Sequence, residues 1–317
     1  PRSIKMNINN STKTLVLGAG GLAGSAIMRQ LKKRQFEDVL CPRSKELDLR
    51  DQRAVDDYFK YHRPQHVYLA AATVGGIMAN KTRKAEFLYD NLMIQSNVID
   101  SAYYSGVEKL LFLGTSCIYP AGRQHPLKED ELLTGPLEPT NDAYAIAKIA
   151  GIKMCDFYRE QYGFNAISLM PPNLYGPGDN YDENSGHVMA SLLKKFHTAM
   201  KNNDPTVTCW GDGSPMREFL YVDDLGEACM FFMSNWNRSG PLNVGTGEDI
   251  TIKHLAETIA KVVGFTGEIV WDTSKPNGNP RKLLDSTVAN VLEWYPSHTL
   301  EGGIELTYEW YLENYDV

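Results

Sequence analysis

Tyr144 and Lys148 stand four residues apart in Tyr144-Ala145-Ile146-Ala147-Lys148, at the start of a stretch whose pattern predicts a helix over 144–162. Both polar side chains then share one helix face. A lysine so placed lowers a tyrosine's pKa electrostatically and can also hydrogen-bond a cofactor's ribose, which makes the tyrosine a proton donor or acceptor near neutral pH. Y-x-x-x-K is frequent by chance. Here it follows the apolar run Leu110-Leu111-Phe112-Leu113, which ends in Gly114-Thr115-Ser116-Cys117-Ile118-Tyr119-Pro120. That places a hydroxyl at Thr115, 29 residues before Tyr144, where a third catalytic group belongs. The chemistry such a set can do is proton transfer coupled to movement of a hydride to or from a carbon.

A second constellation lies upstream. Leu15-Val16-Leu17-Gly18-Ala19-Gly20-Gly21-Leu22-Ala23-Gly24 reads as a strand, a glycine turn and a helix start. Glycines at 18, 21 and 24 let the backbone pass close to a pyrophosphate, and the helix N-terminus adds amide donors and a favourable dipole. A glycine-rich turn alone is weak evidence, but its place between strand and helix inside a βαβ pattern is the context required. The next apolar pair, Val39-Leu40, runs into Cys41-Pro42-Arg43-Ser44-Lys45. An acidic residue here would suit a ribose 2′-hydroxyl; Arg43 and Lys45 suit a 2′-phosphate, and Asp48 suits the adenine ring. NADP(H) is therefore the expected cofactor.

The elements that must carry these groups follow from periodicity. Leu15–Leu17, Val39-Leu40, Val67–Leu69, Leu110–Leu113 and Ala166–Leu169 read as strands buried on both faces, separated by helical stretches at 21–33, 52–61, 84–104 and 144–162. This alternation predicts an α/β fold with a doubly wound, parallel Rossmann-type sheet. After Pro171, loops rich in Pro, Gly and Asn (171–186, 202–217 and 272–282) separate short elements and suggest a smaller C-terminal α/β substrate lobe. The expected division is a dinucleotide-binding domain over 1–175 with a return of about 219–245, and a substrate lobe over 176–317. Ile167–Leu169 is expected to close the main sheet, with Phe219–Phe232 returning to it.

Composition bounds the function. A formal charge of −7 and a pI near 5.6 argue against a nucleic-acid or membrane-surface binder. No apolar run approaches the length of a spanning helix and no charged-then-apolar leader opens the chain; Pro1 to Lys5 ahead of Met6 read as an appended segment. Five cysteines without C-x-x-C spacing indicate neither a disulfide framework nor a metal site and fit a reduced, cytoplasmic protein.

With Leu69-Ala70-Ala71-Ala72 after the third strand, these motifs resemble the extended short-chain dehydrogenases/reductases. The stretches Ala70–Ile77, Gly114–Pro120, Glu138–Asn141 through Lys148, Pro172-Asn173-Leu174-Tyr175-Gly176-Pro177 and Pro215–Phe219 narrow the resemblance to the GDP-L-fucose synthase family, over about residues 14–313. Less widely shared are the cysteine two residues after Thr115 and the downstream Asn184-Ser185-Gly186-His187.

The resemblance implies one site doing two reactions on GDP-4-keto-6-deoxy-D-mannose. Inversion at C3 and C5 would use Cys117 as base and His187 as acid. Reduction at C4 by NADPH would use Tyr144 as proton donor, with Lys148, Thr115 and Ser116 assisting. It further implies cofactor contacts at Gly18, Ala19, Gly20, Gly21, Leu22, Ala23, Gly24, Arg43, Ser44, Lys45, Asp48, Leu49, Ala70, Ala71, Ala72, Lys148, Pro171, Pro172, Asn173, Leu174 and His187. Substrate contacts are implied at Lys195, Trp210, Arg217 and Asn277. Helices 84–104 and 144–162, with Phe87, Leu88, Leu92, Ile149, Ile152 and Tyr158, would build a homodimer.

From the residues alone, Cys117 reads as a core thiol, His187 as a structural or surface histidine, Lys195 as a solvated helix face and Trp210 as a packed aromatic. The chain departs from the family at Gly20 and Ser44, where basic residues are common, at Thr115 in place of serine, and at Asn277-Gly278 in place of Asp-Gly. A 4,6-dehydratase would want an acid pair after the threonine, which Ser116-Cys117 does not supply; a 4-epimerase needs no Cys/His pair; an intact Thr115, Tyr144 and Lys148 argues against a regulator that has lost its chemistry. A 3-deoxy variant of the same keto sugar, giving a GDP-colitose-type product, stays open.

Overall fold

The computed structural model describes residues 9–75, 77–182, 186–275 and 277–315; Gly76, Asn184 and Ser185 of the stretches above lie outside them. The first half runs β1 (Thr14–Leu17), α1 (Leu22–Lys33), β2 (Val39–Leu40), α2 (Gln52–His62), β3 (His66–Leu69), α3 (Ile77–Thr82), α4 (Lys84–Tyr104), β4 (Lys109–Leu113), α5 (Asp142–Tyr162) and β5 (Ala166–Met170). The second half runs β6 (Asn173–Tyr175), α6 (Val188–Asn202), β7 (Thr206–Trp210), β8 (Met216–Arg217), β9 (Phe219–Tyr221), α7 (Val222–Asn235), β10 (Pro241–Asn243), β11 (Ile250–Thr251), α8 (Ile252–Val263), β12 (Glu268–Asp272), β13 (Arg281–Lys282), α9 (Thr287–Val291) and α10 (Leu300–Tyr315).

Six strands form one sheet in the order β10-β5-β4-β3-β1-β2, every pair parallel. Its strands are apolar on both faces because both faces are covered. Leu15, Leu17, Val67, Leu69, Leu110 and Phe112 meet α2, α4 and α5 through Val55, Phe59, Val98, Ile99 and Ile152. The alternate residues Val16, Tyr68, Leu111, Ile167 and Leu169 meet α1 and α7 through Ile27, Leu31, Leu225, Cys229 and Phe232. Each such aliphatic or aromatic side chain, wholly buried, is worth roughly 1.5–3 kcal/mol.

The sheet does not close on Ile167–Leu169. β10 adds beyond β5, pairing Leu242 with Leu169. Phe219–Tyr221 does not return to this sheet either: β9 pairs with β6 in a separate two-stranded ladder. What returns is α7, packed along α1 and held by Arg29, whose Nε donates to Asp223 at 2.8 Å. The wholly buried Lys109 at the start of β4 also ties α7 down, donating to the Trp236 carbonyl at 2.5 Å and to Asn237 Oδ1 at 2.7 Å. A cation there faces the negative end of the α7 dipole, and burial pushes its pKa down to about 7.

A separate core gathers α6, α8 and α10 around Leu193, Phe196, Leu255, Ile259, Ile304 and Tyr308. β8, β11 and β13 form a separate small sheet in the order β11-β8-β13. Among the described residues no helix is long and apolar enough to cross a membrane.

Candidate active site

A cleft of about 1540 Å³ opens at the carboxyl ends of β1, β3, β4 and β5. It lies where strand order reverses, β2 on one side of β1 and β3 on the other, the usual place for a ligand in a doubly wound sheet. Its floor is the glycine turn. Gly18 has φ +87°, and a Cβ there would stand 2.6 Å from the Ala71 nitrogen; a Cβ on Gly24 would stand 1.9 Å from the Gly18 carbonyl oxygen. Only glycine fits both positions. Gly20 and Gly21 are under no such pressure. Helix α1 starts with no side-chain cap, so its first amides are left for a ligand.

Ala19, Gly20, Gly21, Leu22 and Ala23 line this floor, with Ala70, Ala71 and Ala72 at the end of β3 and Pro171, Pro172, Asn173 and Leu174 after β5. Arg43, Ser44, Asp48 and Leu49 line the far end; Lys45 does not. The Arg43 guanidinium pairs with no carboxylate among the described residues, whereas Asp48 is engaged: Arg50 donates to it at 3.0 and 2.9 Å and holds its carboxyl below the ordinary value. Arg50 lines the cleft too and was not foreseen. An uncapped helix start, a cradle that a Cβ would fill and an unpaired guanidinium fit a 2′-phosphorylated dinucleotide.

At the other end Thr115, Ser116 and Cys117 sit on a 3₁₀ turn after β4, and Tyr144 and Lys148 face the cleft from the first turns of α5. Gln95, buried on α4, donates to the Ala147 carbonyl at 2.6 Å and fixes α5 beside them. The expected effect of Lys148 on Tyr144 is not seen. The lysine Nζ donates to the Leu113 carbonyl at 2.8 Å and lies 5.7 Å from the Tyr144 ring centre. Burial pushes Lys148 down to about 7. Burial, with the nearby Cys117 sulfur, pushes Tyr144 above its ordinary value. Desolvation disfavours both charged forms, leaving Tyr144 a proton donor.

Cys117 and His187 are shifted the other way. Burial alone would raise the Cys117 thiol, but the Lys282 ammonium 3.1 Å from its sulfur, the Thr115 hydroxyl and the Asn141 amide at 3.3 Å outweigh it and bring the thiol below its usual value. His187, at the N-cap of α6, places Nδ1 2.9 Å from the enclosed carboxylate of Asp179; that hydrogen bond raises the imidazole against the opposing effect of burial.

Trp210, Arg217 and Asn277 line the outer wall. Arg217 Nη1 donates to the Met216 carbonyl at 2.8 Å, and Asn277 Oδ1 accepts from the Asp212 amide at 2.9 Å. Lys195 is not among the lining residues; its Nζ donates to the Thr208 carbonyl at 3.0 Å on the adjacent β7. Sequence reasoning assigned no role to Lys282, Asp179 or Asn141. Asn141 directly precedes α5, a position that could have flagged it; Lys282 and Asp179 lie in loops and short strands with no local signal.

A glycine cradle at a topological switch point, facing a half-buried tyrosine and a buried lysine one helical turn apart, defines a dinucleotide-dependent enzyme of the extended short-chain dehydrogenase/reductase kind. The pattern of the NAD dependent epimerase/dehydratase family matches residues 14–245, and the chain belongs to that family. It is 51% identical to the GDP-L-fucose synthase of Escherichia coli (strain K12), over 96% of this chain and 98% of that protein. It is 50% identical to GDP-L-fucose synthase 1 of Arabidopsis thaliana, over 96% of this chain and 95% of that protein. The crystal structure of a GDP-L-fucose synthetase from Naegleria fowleri bound to NADP superposes with a TM-score of 0.87 at 31% identity, covering 96% of this chain and 95% of that one.

Proposed function

We propose that this chain converts GDP-4-keto-6-deoxy-D-mannose to GDP-L-fucose, inverting C3 and C5 and then reducing C4, with NADPH as cofactor. The observation that carries this reading is a second acid–base pair in the same cleft as the hydride machinery: a thiol held low at Cys117 and an imidazole held high at His187.

The 4-keto group acidifies the neighbouring C–H bonds. Cys117 as thiolate takes the proton from carbon, the electron pair moves onto the carbonyl oxygen, and His187 as imidazolium returns a proton to the opposite face. When bound, NADPH supplies the hydride for C4. Tyr144, kept protonated by its burial, donates the proton to the C4 oxygen, while Thr115 and Ser116 orient the ketone and Lys148 holds the nicotinamide ribose. Arg43 with Ser44 meets the 2′-phosphate, and Arg217, Trp210 and Asn277 meet the GDP portion.

The protein works as a homodimer in the cytoplasm. Phe87, Ile149 and Ile152 are spent in this chain's own core, but Tyr89, Tyr104, Ile146 and Phe157 leave an apolar outer face on α4 and α5. All five cysteines are free, as a reducing compartment allows.

The test is turnover of the keto sugar with NADPH, followed by NMR of the product. GDP-L-fucose supports the reading. NADPH oxidation that yields the 6-deoxy sugar of unchanged C3 and C5 configuration would leave only a 4-keto reductase.

A further inference from the structure

Lys282 is the second residue of β13, in register with Arg217 of the parallel β8. Its neighbours are fixed on both sides. Arg281 Nε donates to Asp249 at 2.6 Å, the Leu283 carbonyl accepts from the Leu127 amide at 2.8 Å, and the Leu284 amide donates to the enclosed carboxylate of Glu218 at 2.9 Å. With the backbone pinned, the half-buried ammonium extends to 3.1 Å from the Cys117 sulfur. It forms no ion pair with a carboxylate among the described residues, and the acidic group it does touch is the Cys117 thiol.

We propose that Lys282 is a positioning residue for the epimerisation: its ammonium pairs with the Cys117 sulfur and keeps that sulfur anionic and proton-accepting at neutral pH. The inference rests on the reading of Cys117 as the base. The groups that face the sulfur are Lys282 from β13, Asn141 from the start of α5, Thr115 from its own turn, and Tyr144 from α5. Lys282 is the one cation among them. Asn141 and Thr115 donate hydrogen bonds and carry no charge, so the balance between thiol and thiolate turns on the lysine. Each cycle is balanced: the substrate C–H bond breaks, its proton goes to sulfur, His187 protonates the other face, and both groups re-equilibrate with water before the next inversion. Lys282 itself exchanges no proton with substrate.

The test compares wild type, Lys282→Met and Lys282→Arg by three readouts. The first is the pH dependence of Cys117 alkylation by iodoacetamide, followed on the Cys117 peptide by mass spectrometry. The second is solvent deuterium uptake at C3 and C5 of the keto sugar. The third is NADP⁺ reduction by GDP-L-fucose, which begins with the hydride step and needs no epimerisation. Lys282→Met is expected to move the alkylation profile up by about one pH unit, to cut exchange at pH 7 about tenfold with recovery at higher pH, and to leave NADP⁺ reduction unchanged. Lys282→Arg retains the charge and should stay near wild type.

An alkylation profile unmoved in Lys282→Met overturns the inference, and so does weaker binding of GDP with the profile intact, since the lysine would then be gripping phosphate. A profile that moves while deuterium uptake does not would uphold the pairing and overturn Cys117 as the base. The two failures are therefore separable.

Discussion

Nδ1 of His187 lies 2.9 Å from Oδ1 of Asp179, a carboxylate with 4% of its surface exposed, whose other oxygen is buried and without a partner among the described residues. Among the described residues no cation competes with the imidazole for this carboxylate. This bears on how many molecules are poised for inversion. A thiol near 8.5 and an imidazole near 6.5 would leave only about 1% with both groups in the needed forms at pH 7.5. Lys282 lowers the first and Asp179 raises the second. Each tenfold change in a group's acidity can raise the needed population by as much as about tenfold.

Deuterium exchange should therefore follow a bell. Exchange needs Cys117 deprotonated and His187 protonated, so it should fall toward both the acid and the alkaline extremes. Asp179→Asn removes the charge that holds His187 up, so the imidazole should titrate lower and deuterium exchange at neutral pH should fall several-fold. NMR titration of the His187 ring checks the cause directly. A His187 titration that stays in place would show that Asp179 does not hold the imidazole up.

The two chemistries should separate by mutation. Tyr144→Phe removes the proton donor for reduction, so NADPH oxidation should fall by orders of magnitude while deuterium still washes into C3 and C5. Cys117→Ser should do the reverse to the first stage, since serine is a far weaker base. Exchange at the wild-type rate in Cys117→Ser would remove the epimerase half of the reading.

The proposed reading assigns cofactor choice to Arg43. Arg43→Ala should raise KM for NADPH about tenfold, about 1.4 kcal/mol, and leave NADH use nearly unchanged. Lys45 lies outside the cleft, so Lys45→Ala should change KM only about twofold, as a screened charge would. Equal losses with both cofactors in Arg43→Ala would show that it does not read the phosphate.

The glycines are not equivalent. Gly24→Ala puts a Cβ 1.9 Å from the Gly18 carbonyl oxygen, an overpacking that should cost about 1–3 kcal/mol of stability and weaken NADPH binding. Gly20→Ala meets nothing within 4 Å and should change neither. Thermal melts with and without NADPH distinguish the two.

The outer face of α4 and α5 gives the fifth expectation. Phe157→Glu places a charge on a side chain that is 58% exposed in the single chain and should shift a dimer toward monomer in light scattering at micromolar concentration. A wild type that scatters as a monomer would rule out the dimer.

The sequence by itself determined five of the six strands of the main sheet, the glycine cradle and the Thr115–Tyr144–Lys148 spacing, because each is written in local pattern. A period of two or 3.6 residues decides which side chains share a face, and helix geometry puts residues four apart side by side. Only the tertiary structure decided what those groups experience. Lys282 reaches Cys117 across 165 residues of chain, through a register between β8 and β13 that two-residue strands cannot announce. Asp179 finds His187 through a loop, β10 rather than β5 ends the sheet, and Lys195 turns to a carbonyl of β7 instead of the cleft. Burial decided the rest: Tyr144 and Lys148 are near neighbours in any helix, but their charges depend on how much water the fold leaves around them, and here desolvation disfavours both charged forms.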